Sequence, residues 1–206
     1  MPVAPDRNVL AGDRFEAVQV VLRERETRDR HWWDDMRACF ADESTVTLTW
    51  YDGSGHGFVD GSIEMAERGQ ASRHRISPPV VRLAGERAVI SLPIGIESYP
   101  DVEGVDCVMT TYARHLYRLE RFADVWKIVQ LNAIYERDEI FPSVPGATVR
   151  IDSSELEGLR RPYRLLAWNL GRHGYDVSQE LPADDRPEHV SRVYGEAFEW
   201  AGIPHP

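Results

Sequence analysis

The sequence predicts an α+β fold, in which a cone-shaped, curved antiparallel sheet wraps around N-terminal helices and a helical extension follows. Three observations support this prediction. Apolar residues recur at helical spacing before residue 41, β-rich alternating segments fill residues 73–137, and helical spacing returns after residue 147. Helices first and a run of strands afterwards is the order typical of α+β domains, in which the sheet covers the helices.

Residues 13–30 are predicted to form the first helix, because apolar side chains recur there at steps of three and four residues. The side chains of this predicted buried stripe are Phe15, Val18 and Leu22. The same step continues to Asp29, so we expect a carboxylate at the end of the buried face. A short second helix is predicted over residues 33–40.

The central part of the chain is predicted to be mainly sheet. Residues 45–51 alternate, with Val46, Leu48 and Trp50 on one face. The glycine-rich segment DGSGHG, residues 52–57, indicates a loop, and a short helix is predicted over residues 61–70. The predicted long strands are residues 73–83, 88–98, 105–119 and 125–137.

A change in composition after residue 146 divides the predicted fold into a main α+β domain, residues 1–146, and a helical extension, residues 147–206. Helical spacing predicts one helix over residues 155–172 and another over residues 187–201, which Pro187 suits as a first-turn residue. The extension is expected to lie either across the sheet or over the mouth of a cavity.

Composition excludes several classes of function. The chain has 206 residues, 42% of them hydrophobic, which is enough for an ordinary core. Its formal net charge of −10 argues against binding to nucleic acid. No signal peptide and no membrane-spanning run of about 20 apolar residues is recognised. Cys39 and Cys107 are typical of a reducing compartment, so we expect a cytoplasmic protein without a membrane partner.

His74 is the residue that raises the question of chemistry. Alternation along its predicted strand places His74 on the apolar face with Ile76, while Arg73 and Arg75 point to the other face. An isolated inward histidine is more often a core residue than a catalyst. If the helix face that ends in Asp29 packs on the same side of the sheet, however, a carboxylate and an imidazole meet in one cavity. Such a pair is suited to abstracting a proton.

Other candidates surround this predicted cavity. His115 shares the apolar face of its strand with Thr111, and two interpretations stay open: it lines the same cavity, or it is a core histidine. Trp50 is expected to form a wall. His56 lies in a glycine-rich segment that lacks the lysine of a phosphate-binding loop. Spacings typical of metal sites are absent from the sequence, so neither a metal nor another cofactor is expected.

Three segments carry a resemblance to a known family. They are RDRHWWDDMRACFADE at residues 28–43, RHRISPPVVRLAGERAVI at 73–90 and VWKIVQLNAIYERDEIFPSVPG at 125–146. Over residues 10–146 the chain resembles the SnoaL-like branch of the nuclear transport factor 2-like superfamily, which includes scytalone dehydratase, bile-acid dehydratase, hexachlorocyclohexane dehydrochlorinase and polyketide cyclases. The resemblance implies that Asp29 and His74 are the acid–base dyad. It also implies a homodimer.

The resemblance has gaps around the site. Where relatives often carry a tyrosine or lysine about one turn before the aspartate, this chain has Glu24 or Arg25. The active-site tyrosine of scytalone dehydratase falls at Trp50 or Tyr51, so an oxygen donor is kept only if Tyr51 points inward. The second histidine of that enzyme is expected within SLPIGIES, residues 91–98, which contains none.

The function expected from residues and resemblance is a cofactor-independent lyase, isomerase or cyclase that acts on a small, largely apolar carbonyl or hydroxy compound. Asp29 and His74 are the predicted catalytic residues. The residues predicted to shape the substrate pocket are Trp50, Tyr51, Thr111 and His115. Two alternatives stay open: a non-catalytic ligand-binding protein of the same fold, and the small subunit of a ring-hydroxylating dioxygenase, which needs an iron-bearing partner.

Overall fold

A computed structural model describes residues 7–70 and 72–205. Residues 1–6, on which the expectation of no signal peptide partly depends, lie outside the described residues, as do Ala71 and Pro206. No helix in the described ranges is long and apolar enough to cross a membrane.

The order of elements is that of the predicted α+β class. The helices are α1 (Arg7–Arg30), α2 (Trp33–Ala38), α3 (Gly55–Glu67), α4 (Arg164–Arg172) and α5 (Pro187–Ala201). The strands are β1 (Phe40–Thr47), β2 (Asp52–Ser54), β3 (Arg73–Ile76), β4 (Val80–Ala84), β5 (Arg87–Ser98), β6 (Asp101–Val102), β7 (Val105–Phe122) and β8 (Val125–Pro142). Short 3₁₀ helices cover Ser153–Leu156 and Arg161–Tyr163.

The strands form one curved sheet in the order β2-β1-β8-β7-β5-β3, in which β4 also pairs with β5 and β6 with β7. Every pairing is antiparallel except that of β1 with β8. Long strands β7 and β8 give the sheet its length, and their inward side chains, such as Tyr117 and Leu131, are fully buried. The predicted fold class is confirmed.

The strand predicted over residues 73–83 is two strands. Proline lacks the backbone N–H that a ladder needs, and Pro78 and Pro79 separate β3 from β4. Both short strands pair with β5: β3 pairs with residues 94–97, and β4 pairs with residues 87–91.

The predictions for residues 45–57 were wrong in detail. Strand β1 begins at Phe40 and ends at Thr47, and the predicted loop contains β2 and the start of α3. Gly55 lies so close to β1 that a Cβ atom there would be 2.2 Å from Ser44 Oγ and 2.6 Å from Phe40 Cδ1. The Ser54 hydroxyl accepts a hydrogen bond from the Gly57 N–H and caps the helix. These glycines therefore permit close packing rather than a flexible loop.

The predicted buried stripe of α1 was wrong at Phe15, whereas Val18 is partly buried and packs against the core. Phe15 is 65% exposed, whereas Ala17 and Val21 are completely buried. The buried face continues into charged residues, Glu24, Arg25 and Arg28, one and two turns later. Hydrophobic spacing misses this face because its second half is made of charged side chains that the fold buries.

The C-terminal helices pack on both faces of the sheet. The apolar side chains of α4, such as Leu166 and Leu170, join the main core on the concave side. On the opposite side, Phe198 of α5 packs on Val89 and Leu116, which point outward from β5 and β7. The helix predicted over 155–172 is two 3₁₀ helices followed by α4, whereas α5 has the predicted bounds.

Candidate active site

A cavity of about 490 Å³ lies between the concave face of the sheet and helices α1, α3 and α4. This volume is in the range of pockets that hold small organic molecules. Apolar and aromatic side chains form much of its wall, for example Leu48, Trp50, Phe58, Met65, Ile96 and Leu170. Helix α4 contributes Leu166, Asn169, Leu170 and Arg172 to the lining.

Asp29 and His74 are in direct contact at this cavity. Asp29 ends the buried face of α1, and His74 is the second residue of β3. The Nδ1 atom of His74 lies 2.5 Å from Asp29 Oδ1, and the His74 backbone N–H donates to Asp29 Oδ2 at 2.8 Å. The side chains are 3% and 17% exposed for His74 and Asp29 respectively. His74 lines the cavity, and Asp29 lies behind it.

Hydrogen bonds fix the tautomer of His74. A carboxylate can only accept, so Nδ1 carries the proton that it donates to Asp29. On the other side of the ring, Arg25 Nη1 donates to Nε2 at 3.3 Å, which requires an unprotonated Nε2. The network thus assigns a neutral imidazole whose Nε2 lone pair faces the cavity side and meets Arg25.

The surrounding charges keep His74 neutral. Burial, together with the nearby guanidinium groups of Arg25 and Arg28, lowers the pKa of His74 to about 3, against the opposing effect of Asp29. Burial on its own raises the pKa of Asp29, but the hydrogen bonds from His74 bring it below its usual value. At neutral pH the pair is therefore a carboxylate and a neutral imidazole.

A buried hydrogen-bond network connects His74 to His115. Arg25 makes a bidentate ion pair with Glu24, with Arg25 Nε 2.5 Å from Oε2. The Tyr117 hydroxyl donates to Glu24 Oε2 at 3.2 Å, and His115 Nδ1 lies 3.4 Å from that hydroxyl. Burial lowers the pKa of His115 well below its usual value, so this second imidazole is also neutral. The ring centroids of the two histidines are 6.5 Å apart.

Four buried polar atoms on the cavity residues have no hydrogen-bond partner among the described residues: Arg28 Nε, Ser98 Oγ, His115 Nε2 and Asn169 Oδ1. Buried polar groups are almost always hydrogen-bonded in native proteins, so these atoms are free to hydrogen-bond to a molecule in the cavity. Within the described ranges, His, Cys, Asp and Glu side chains form no group of three or more that could hold a metal ion.

The other predicted pocket residues divide into two pairs. Trp50 and His115 line the cavity. Tyr51 does not, because its ring packs on Trp50 and Phe58 and its hydroxyl donates to the Ser54 carbonyl oxygen. Thr111 is fully buried on the face of β7 that carries His115, and its short side chain does not reach the cavity.

Residues 91–98 contain no histidine, but the neighbouring strand β7 brings His115 to the cavity. Leu92 of β5 pairs with His115 of β7, so a histidine enters the cavity from the strand beside the expected one. The sequence analysis missed Arg28, the ion pair of Arg25 with Glu24, and the contact of Arg25 with His74. The available signal was spacing: Arg25 lies four residues before Asp29, one helical turn away, and Arg28 follows Arg25 by three residues on the same helix face.

Comparison with known families agrees with this geometry. Residues 11–132, more than half of the chain, match the family described as SnoaL-like domain. This chain belongs to the SnoaL-like family. An uncharacterized protein of Emericella nidulans is 26% identical to this SnoaL-like protein over 179 residues, which are 82% of this chain and 74% of the relative.

Solved structures with low sequence identity share the fold of this SnoaL-like protein. A hexachlorocyclohexane dehydrochlorinase from Novosphingobium barchaimii superposes with a TM-score of 0.55 at 14% identity, covering 68% of this chain and 96% of that one. A putative scytalone dehydratase from Novosphingobium aromaticivorans gives a TM-score of 0.51 at 13% identity, covering 70% and 95%. A protein of unknown function from Mycobacterium tuberculosis gives 0.55 at 15% identity, covering 86% and 100%. The SnoaL-like family and nuclear transport factor 2-like fold predicted from sequence are confirmed.

Proposed function

We propose that this SnoaL-like protein is a cofactor-independent enzyme that removes a proton from a small molecule held in the cavity. His74 acts as the general base through Nε2, and Asp29 orients it. The observation that carries the proposal is the neutral, oriented imidazole on the wall of a cavity large enough for a substrate. Structural relatives with this fold include proteins named as a dehydrochlorinase and a putative dehydratase.

The reaction class follows from the groups available. Nε2 takes a proton from a carbon next to a carbonyl or next to a carbon that bears a leaving group. The imidazolium formed is stabilised by the Asp29 carboxylate, to which Nδ1–H remains bonded. Returning the proton to a leaving hydroxyl gives elimination, and returning it to another carbon gives isomerisation. In cyclisation the carbanion attacks a second carbonyl carbon of the same molecule, and the proton is given to that carbonyl oxygen as its π bond breaks. A positioned base of this kind contributes roughly 10²–10⁴-fold to a rate.

Arg25 has a defined place in this step. In the free protein it donates to Nε2 at 3.3 Å, a long hydrogen bond that the substrate must replace. Once displaced, the guanidinium is still held by Glu24 and stays beside the reacting atoms. There it stabilises the negative charge that develops on a carbonyl oxygen as the proton leaves.

Exchange of carbon-bound hydrogen for deuterium tests the proposal without knowledge of the natural substrate. A panel of small cyclic ketones, beginning with β-tetralone, is incubated in D₂O and followed by NMR. We expect the wild-type protein to accelerate exchange at the carbon next to the carbonyl. His74→Gln removes the base and Asp29→Asn its orienter, so both lose the acceleration.

Tyr51→Phe is the matched control, because Tyr51 lies beside the cavity wall without reaching it. This variant keeps the wild-type exchange rate. Equal exchange in the wild-type protein and in His74→Gln, across the panel, would rule out the proposed base.

A binding protein without turnover is the second candidate, and the hydrogen bond from Arg25 to Nε2 is the observation that favours it. In that case the network serves only to satisfy a polar cavity wall. The same exchange experiment separates the two: a binding protein takes up ketones without accelerating exchange. For the dioxygenase small-subunit alternative, purification of an active protein without a companion chain is the contradicting result.

A further inference from the structure

Arg28 is the one buried cation of the cavity that forms no ion pair with the described residues. Its side chain is on the buried face of α1, and the residue is 6% exposed. Its recorded contacts are all with neutral groups: Nη1 donates to Ser72 Oγ at 3.2 Å, and Nη2 lies 3.8 Å from Met65 Sδ. Its Nε–H has no partner among the described residues.

The contrast with Arg25 shows why this is unusual. Arg25 lies one turn earlier on the same helix and has its charge matched by Glu24. The nearest carboxylate in sequence to Arg28, Asp29, directs both oxygens to His74. Burying a charge without a partner is costly, and a fold keeps one only where something else meets it.

The cavity lining contains more arginines than carboxylates, although the chain as a whole is acidic. Four of its lining residues are arginines: Arg25, Arg28, Arg68 and Arg172. Asp101 is the one carboxylate among the lining residues that the structure describes, and it is exposed. Glu24 pairs with Arg25 and Glu64 pairs with Arg68, so Arg28 is the buried arginine of the lining that has no carboxylate partner among the described residues.

We infer that the ligand of this cavity carries a carboxylate, which Arg28 binds, on an apolar or aromatic body. Aromatic walls stand beside the guanidinium, whose Cζ atom is 5.7 Å from the ring centroids of both Trp50 and Phe58. A planar guanidinium with free N–H groups matches the two oxygens of a carboxylate. The expected ligand is therefore an organic acid, more specific than the largely apolar compound predicted from sequence.

One consequence of the inference, a change in the basicity of His74, rests on the proposed function. The guanidinium groups of Arg25 and Arg28 are among the causes of the low pKa of His74. A carboxylate beside Arg28 offsets that positive charge and raises the affinity of Nε2 for a proton. Binding of the correct substrate thereby makes the proposed base stronger, whereas a neutral analogue leaves it weak.

Calorimetric titration with naphthoate and naphthamide tests the binding part separately from turnover. The two probes have the same ring system and differ in charge. We expect the wild-type protein to bind naphthoate about tenfold or more tightly than naphthamide, as for a charge-assisted hydrogen bond in a buried site. Arg28→Met removes this preference. Arg28→Lys keeps the positive charge but cannot donate two parallel hydrogen bonds from a planar group, so it retains part of the preference.

Arg68→Gln is the matched control, because Arg68 also lines the cavity but is largely exposed and pairs with Glu64. It keeps the preference for naphthoate. His74→Gln also keeps it, since the carboxylate is held by Arg28, so failure of the proposed base leaves this result unchanged. Three results would overturn the inference. They are equal affinity of the wild-type protein for the two probes, a preference for naphthoate that survives Arg28→Met, and binding of neither probe.

Discussion

Acidification should destabilise this protein through His74 before its carboxylates titrate. In the unfolded chain a histidine has a pKa of about 6.5. In the folded protein burial and the neighbouring arginines lower the pKa of His74 to about 3. Between these values the unfolded state binds a proton that the folded state does not, so stability falls as the pH falls. Above about pH 6.5 the contribution of this histidine is fully present.

The magnitude follows from the two pKa values. Lowering the pH from about 7.5 to about 5 protonates His74 almost completely in the unfolded chain and hardly at all in the folded one, which costs about 2 kcal/mol. His115, whose pKa is also lowered by burial, adds a loss in the same direction. Asp29 does not contribute in this window, because its folded pKa is below its usual value and its stabilisation is lost only at lower pH.

Urea unfolding at the two pH values measures this effect. The wild-type protein loses stability on acidification, and His74→Gln loses about 2 kcal/mol less, because no imidazole is left to protonate at that position. Tyr51→Phe is the control and retains the wild-type dependence. If His74→Gln and the wild-type protein lose the same free energy between the two pH values, His74 is not buried as a neutral imidazole and the electrostatic argument fails.

Three further predictions concern stability and are measured by the same unfolding assay. Arg28→Met is expected to stabilise the free protein by about 1 kcal/mol or more, since it replaces an unpaired buried charge with an apolar side chain; a destabilised variant would contradict this. Gly55→Ala should destabilise by about 1–3 kcal/mol because its Cβ meets Ser44 and Phe40, whereas Gly12→Ala, which has open space in α1, should be neutral or stabilising by up to about 1 kcal/mol. Leu170→Ala should cost about 2–3 kcal/mol if α4 is part of the main core, and a loss under about 0.5 kcal/mol would show that α4 packs loosely.

The parts of the fold that sequence predicts well are those in which one local rule decides the structure. Strand β5 alternates regularly and lies within one residue of its predicted bounds. Helix α5 begins at Pro187, a residue suited to the first turn, and ends at Ala201 before Gly202 in a left-handed conformation with φ of 68°. The sequence left open whether the extension lies across the sheet or at the cavity. Helix α5 packs on the outer face of the sheet, and α4 lies at the cavity.

The parts that sequence predicts poorly depend on contacts between distant segments. Gly55 and Gly57 read locally as a loop, but their lack of side chains serves the close packing of α3 on its neighbours. The buried face of α1 contains Glu24 and Arg28, which hydropathy places on a surface. Only the tertiary structure shows that the fold encloses these charges.

The candidate site was predictable in outline. The resemblance to a family indicated Asp29 and His74, and the structure brings them into contact. It did not indicate the arginines, because relatives were expected to carry a tyrosine or lysine one turn before the aspartate. Here that position is Arg25, which contacts the reactive nitrogen of His74. The homodimer that the resemblance implies stays a prediction; α5 of the same chain covers Val89 and Leu116 on the outer sheet surface.

Nitrogen NMR of a histidine-labelled sample tests the central claim most directly, by reporting which ring nitrogen of His74 carries a proton. The His74→Gln spectrum assigns its signals. The geometry predicts a neutral ring at pH 7, with Nδ1 protonated and Nε2 bare, and the same state at about pH 5. A ring that is protonated on both nitrogens at about pH 6, or that carries its single proton on Nε2, would contradict the account of His74 as a base oriented by Asp29.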